Sequence, residues 1–200
     1  TLSGTGVTAG NSSALFVGDG VETVLAARNG DALAGSTITS LSFSAASFND
    51  KAQLAYRATL ADGRSGVFLF TPTLHWRSGT GGSWDTAAHW TLGVNPSDMY
   101  DVIVDPANSL RITGPTGAVT LKSLQVGTGA GLVTLQMAGG AIDAADPVVI
   151  GPRGLLSGTG SFSQLVVNQG TVQADRLVMS ESLSNAGLLR GVAGGPRTGA

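Results

Sequence analysis

Cysteine is absent from the 200-residue chain. That removes disulfides, thiolate metal ligands and cysteine nucleophiles together, without fixing a redox compartment. Charge is scarce: Asp, Glu, Lys and Arg make up 12%, about half the usual share. The formal net charge is −2, and the 11 basic residues are scattered, with Lys at only two positions. Neutralising a nucleic-acid backbone needs clustered basic residues, so no nucleic-acid partner is expected. No apolar run is long enough for a helix to span a bilayer, so no transmembrane segment is expected in this chain. Helical periodicity is nearly absent too. The best helical candidate is 21–27, and Asn29-Gly30 stops it at once.

What is plentiful is glycine, 30 residues, without the period of three that marks collagen. Apolar residues are 42%, enough for a core and too many for a disordered polar chain. Short runs rich in β-branched residues, bounded by Gly, Asn, Asp or Pro, occur at 14–17, 37–43, 54–60, 66–70, 102–104, 119–126, 132–137, 148–150, 165–167 and 177–179. The chain is expected to be all-β.

Its grammar changes near Pro72. Before it, Leu54, Tyr56, Ala58 and Leu60 alternate with Ala55, Arg57 and Thr59, and Asp62-Gly63 supplies a tight turn before an apolar run returns. Residues 14–17 and 66–69 are a weak echo of each other, 52 positions apart and each centred on Phe, near the length of a propeller blade. All three tryptophans, Trp76, Trp84 and Trp90, flank the Gly-rich stretch 77–83, a composition suited to capping the open end of a β core. After Asp98, short strands alternate with Gly. Residues 123–127 recur as 147–151, 24 positions later, and Asn168-Gln169-Gly170 recurs as Asn185-Ala186-Gly187, 17 later. Such spacings suit the coils of a parallel β-solenoid, with Gly at the corners and Asn able to ladder between coils. A β-sandwich is the alternative, since it too gives short strands with Gly-rich turns. The expected organisation is an antiparallel, propeller-blade-like segment at 1–72, a Trp/Gly-rich junction or cap at 73–99, solenoid repeats at 100–193 and a linker at 194–200. Thr1 opens without Met or a signal pattern, so both ends read as cuts in a longer polypeptide.

Two stretches carry a resemblance. Residues 48–69 resemble a repeat of bacterial secreted and cell-surface proteins, of the form Asn-x-x-Gly-Gln-Val-Ala-Phe followed by Asp-Gly and Gly-Val-Phe-Leu. Here Ala52, Leu54 and Tyr56 stand for the usual Gly, Val and Phe. Residues 76–90, followed by Asn95-Pro96 and 101–104, resemble the opening segment of autotransporter-type passenger solenoids. The steps usual there appear as Val126-Gly127, Ile150-Gly151, Leu156-Ser157-Gly158-Thr159-Gly160 and Asn168-Gln169-Gly170. The resemblance implies a propeller-like repeat, then a β-solenoid, in a secreted or cell-surface protein. The membrane barrel or sorting tail that would anchor such a protein is not in this sequence.

Candidate chemistry is sparse. His75 and His89 flank the tryptophans and read as rim residues of that segment, not as zinc ligands. Asp19, Asp31, Asp50 and Asp62 lie in turns and are the calcium candidates, although turn chemistry explains them better. Glycine-rich 4–6, 127–131 and 158–160 lack the following helix and lysine of a phosphate loop. A solenoid glycosidase would have to draw on Asp143, Asp146, Asp175 or Glu181. Trp76, Trp84 and Trp90 are the candidates for stacking on sugar rings, against burial as a cap. No metal site and no cofactor is expected. The reading that results is a non-enzymatic, extracellular structural or adhesive module, a filament or surface-layer subunit being one form of it. Its partners would be other copies in head-to-tail contact, or surface glycans. The alternative is a glycan-binding module using the tryptophan segment.

Overall fold

The computed structural model describes residues 2–191, and the backbone alone at 174 and 175. The linker assigned to 194–200 lies outside the described residues. The chain divides into two compact units, Thr1–Pro72 and Thr73–Ala200. It is all-β: among the described residues no helix reaches seven residues.

In the first unit, β1 (Ala14–Gly18) and β2 (Thr23–Arg28) form an antiparallel hairpin. The stretch with the most helix-like spacing, 21–27, is mostly the second arm of this hairpin, in keeping with the all-β expectation. Seven residues cannot repay helix nucleation alone. Asp19 instead folds the chain back, its Oδ1 accepting the N–H groups of Val21 and Glu22 at 2.9 Å each. A second sheet holds β3 (Ala32–Leu33), β4 (Ser36–Ser42), β5 (Leu54–Leu60) and β6 (Ser65–Phe70), antiparallel and in chain order. Leu54, Tyr56, Ala58 and Leu60 are buried on one face of β5, as their alternation requires. The Asp62-Gly63 turn closes β5 onto β6, with Gly63 at φ +85° and its N–H donated to the Leu60 carbonyl. The echo of 14–17 in 66–69 does not carry through to packing. Leu15 and Val17 are buried in β1, whereas Val67 and Leu69 of β6 are 77% and 62% exposed.

The second unit is a parallel β-solenoid of about four turns. One sheet stacks β7 (Leu74–His75), β9 (Asp101–Val104), β12 (Ser123–Val126), β14 (Val148–Ile150), β16 (Val166–Asn168) and β18 (Leu183–Asn185). A second stacks β8 (Gly82–Ser83), β10 (Leu110–Thr113), β13 (Val133–Ala144), β15 (Gly154–Phe162), β17 (Thr171–Met179) and β19 (Leu188–Gly191). β11 (Ala118–Leu121) pairs with the far end of β13, so the long strands bend and supply a third face. Every pairing between coils is parallel, which excludes the sandwich alternative for this unit.

The register explains the sequence echoes. Leu74, Val102, Leu124, Val148, Val166 and Leu183 follow one another up the first sheet, 28, 22, 24, 18 and 17 positions apart. The 123–127 and 147–151 repeat is a bonded pair of neighbouring coils, Leu124 opposite Val148 and Val126 opposite Ile150. The inward columns continue on the other faces as Ile112, Leu135, Leu156, Val172 and as Val119, Ile142, Phe162, Met179. One hydrophobic core runs through them. A coil alone could not bury this surface; the stack can.

Glycine occupies one corner column because the backbones nearly touch there. A Cβ on Gly170 would lie 2.3 Å from the Gly151 carbonyl oxygen, and one on Gly187 would lie 2.2 Å from that of Gly170. No side chain fits at either distance.

The tryptophan segment is the first coil of this unit. Its β7 and β8 start the two sheets, and Trp76 bridges Trp90 across the turn. The sequence reading sets 73–99 apart from the repeats at 100–193 as a junction or cap; its strands pair within the same two sheets.

Candidate functional site

Trp76, Trp84 and Trp90 form one packed group. Trp90 meets Trp76 edge-on at 5.1 Å between ring centres and Trp84 at 4.7 Å. The Trp90 indole N–H donates to the Trp84 carbonyl at 2.8 Å, and that of Trp76 to the Thr80 carbonyl at 3.2 Å. All three rings are buried, Trp90 completely. Stacking on a sugar needs an open ring face, and this group spends its faces on itself and on the core.

The histidines are separate. His75 Nδ1 lies 3.0 Å from Asp105 Oδ1, a partner the sequence pattern did not single out, since it is 30 positions away. His89 lies against Trp76, 4.8 Å between ring centres, and its Nδ1 is 3.0 Å from the Ser83 carbonyl oxygen. The ring rests over Gly82: a Cβ there would sit 2.3 Å from the imidazole, which would have to move.

The turn aspartates do turn chemistry. Asp19 caps its hairpin as described. Asp62 accepts the backbone N–H and the Nε–H of Arg64, and these bonds hold its carboxyl below the usual carboxylate range. The Asp31 carbonyl accepts the Ile38 N–H, and Asp50 is exposed in the turn before β5. Among the described residues no group of three or more His, Cys, Asp or Glu comes together. Of the solenoid carboxylates, Asp143 accepts the Ser163 hydroxyl, Asp146 lies in an exposed turn, and Glu181 is exposed in the turn before β18. The Asp175 side chain lies outside the described residues. The glycine run 127–131 is the corner between β12 and β13, and 158–160 is the bend inside β15.

A different feature does have the geometry of a site. Among the described residues, β11 pairs on one side only. Ala141 and Ala145 donate to the carbonyls of Gly117 and Leu121, both at 3.0 Å, so the odd-numbered residues of β11 face β13. Strand periodicity then turns the N–H and C=O of Ala118 and Thr120 the other way. They face an open groove of about 370 Å3, whose far wall is Pro96, Ser97 and Asp98. The edge is held in place at both ends. Asp85 Oδ2 accepts the Thr116 N–H at 3.2 Å and its hydroxyl at 2.9 Å. After the strand, Lys122 donates its N–H to the Tyr100 carbonyl and its ammonium to Asp101 at 2.6 Å. Asp101 also accepts the Ser123 hydroxyl at 2.6 Å. Its partial burial pushes the carboxyl up, but the bonds from Lys122 and Ser123 and the Lys122 charge outweigh this and hold it low. Lys122 is correspondingly raised by its bond to Asp101. The sequence hid this edge because 119–126 reads as one strand; the break at Lys122 makes two.

The first unit holds an apolar groove of about 300 Å3, lined by Leu15, Val17, Phe43, Phe48 and Leu54. Among the described residues no helix is long and apolar enough to cross a membrane. Comparison of the chain with protein-family models, curated proteins and solved structures returned no match.

Proposed function

We propose that this chain is a non-enzymatic structural or adhesive module of a secreted or cell-surface protein, with the solenoid as its rigid part. The observation that carries this reading is the unbroken register of coils over one core, from Leu74 to Leu183. Such a stack resists local opening, because every inner coil is bonded above and below. The motif resemblances of 48–69 and 76–90 support a bacterial surface protein as the source.

Strand edges are the surfaces such a module offers for assembly. Among the described residues, no strand pairs with the outer edges of β18 and β19, where Leu188 and Leu189 are half exposed. Contact there between one copy and a different surface of the next would build a filament. Electron microscopy of the chain at rising concentration tests this. Filaments or strings of particles are expected. Separate globular particles at every concentration would remove the filament reading, and recovery of the native protein in the cytosolic fraction would remove the surface location.

A further inference from the structure

The free edge of β11 and the groove beside it carry an inference independent of the filament. We propose that this edge takes up an extended, cationic peptide segment as an added strand. Three observations meet at this place. The first is the edge itself, with the N–H and C=O of Ala118 and Thr120 turned away from β13 and toward the groove. An added strand is held by such main-chain groups, whatever its side chains. The second is space. On the third face, the segment 96–98 runs alongside β11 without pairing to it and leaves about 370 Å3 of open groove. That accommodates a few residues of extended chain.

The third is charge. Asp98 forms a wall of the groove and is exposed. At the exit of β11, Lys122 is already engaged by Asp101 and also feels the charge of Asp146. Lys122 is thus held by its own carboxylates, while Asp98 is the charged residue among those lining the groove, and a lysine or arginine on the incoming strand complements it. Side chains alternate along an added strand, so basic residues at every second position put one on the side of Asp98.

The test is a titration of the isotope-labelled 200-residue chain with a blocked hexapeptide alternating valine and lysine, followed by nuclear magnetic resonance. The Ala118 and Thr120 amide signals are expected to shift in the range up to about 1 mM peptide. A hexapeptide with glutamate in place of lysine should bind more weakly. Asp98→Asn should weaken the lysine peptide by about threefold, the size of an exposed charge pair. Thr120→Pro removes an N–H that bonds nothing in β13, so the fold persists and the peptide shifts are lost. A melting curve on the same sample checks the fold. Silence of both amides at the highest peptide concentration would overturn the proposal, as would equal binding to a folded Thr120→Pro variant. So would shifts of the same amides on concentrating the peptide-free protein, which would make a second copy the occupant.

Discussion

Asn168 is fully buried, and its Nδ2 donates at 2.6 Å to Oδ1 of Asn185 in the next coil. The same carboxamide donates to the Leu188 carbonyl and accepts the Gly170 N–H. In the coils before it, this position is Val104, Val126 and Ile150. The column therefore changes from apolar filler to hydrogen-bonded ladder where the last described coil is attached. The register of that coil is fixed by polar geometry at a place where greasy side chains would tolerate a slip.

Removing that carboxamide should loosen the last coil before the rest. Asn168→Ala removes the donor to Asn185 Oδ1 and one of the two acceptors of the Gly170 N–H, which keeps the Ile150 carbonyl, at a cost of about 1–3 kcal/mol. Hydrogen exchange is the direct measurement. Amides of β18 and β19 should lose protection while those of β12 and β14 keep it. Uniform loss across all coils would contradict the local role.

Crowding at the glycine corner predicts a sharp contrast between glycines. Gly187→Ala and Gly170→Ala drive a methyl group into the carbonyl of a neighbouring coil and should each cost about 1–3 kcal/mol. Gly117→Ala meets nothing within 4 Å and should stay within about 0.5 kcal/mol of the parent. Denaturant midpoints measured side by side would decide it.

The tryptophan group predicts a large core effect at the first coil. Trp84→Ala should destabilise the second unit by about 3–5 kcal/mol. Native fluorescence should be blue-shifted, because all three indoles are buried. An emission maximum typical of water-exposed indole in the folded protein would contradict the packing described.

Acid should weaken the clasp after β11. The Asp101 carboxyl is held below its ordinary value of 3.8 in the folded chain. Its contribution is therefore present above that value and is lost as pH falls through the lower folded pKa. Thermal scans between neutral pH and strong acid should show a drop beginning below about pH 4. Asp101→Asn should flatten part of that drop, while leaving the share that Asp62 contributes through its Arg64 bonds.

Much of this fold was legible where the signal lies between neighbours. The alternation in 54–60 placed one strand face, and Asp62-Gly63 placed its turn. The two echoes in the second half proved to be hydrogen-bonded partners, because coils of similar length bring like residues into register. Other features were not legible, for identifiable reasons. β10 has only four residues with Arg111 among them, too short and too mixed to show a period. Strand β2 is missing from the sequence reading because apolar spacing over 21–27 is ambiguous between periods, and the hairpin turn at Asp19 decides the matter. The β11 groove left no trace, because a free backbone edge is a property of pairing and carries no residue signature.

The inter-coil spacing of 17 to 28 residues has a consequence for biogenesis. Each coil leans mainly on its immediate predecessor in the chain, so long loops need not close before structure is rewarded. The tryptophan-sealed coil emerges first during synthesis and offers a finished ledge to the next. The solenoid can thus be laid down in the direction of translation, one course upon another, without waiting for its far end.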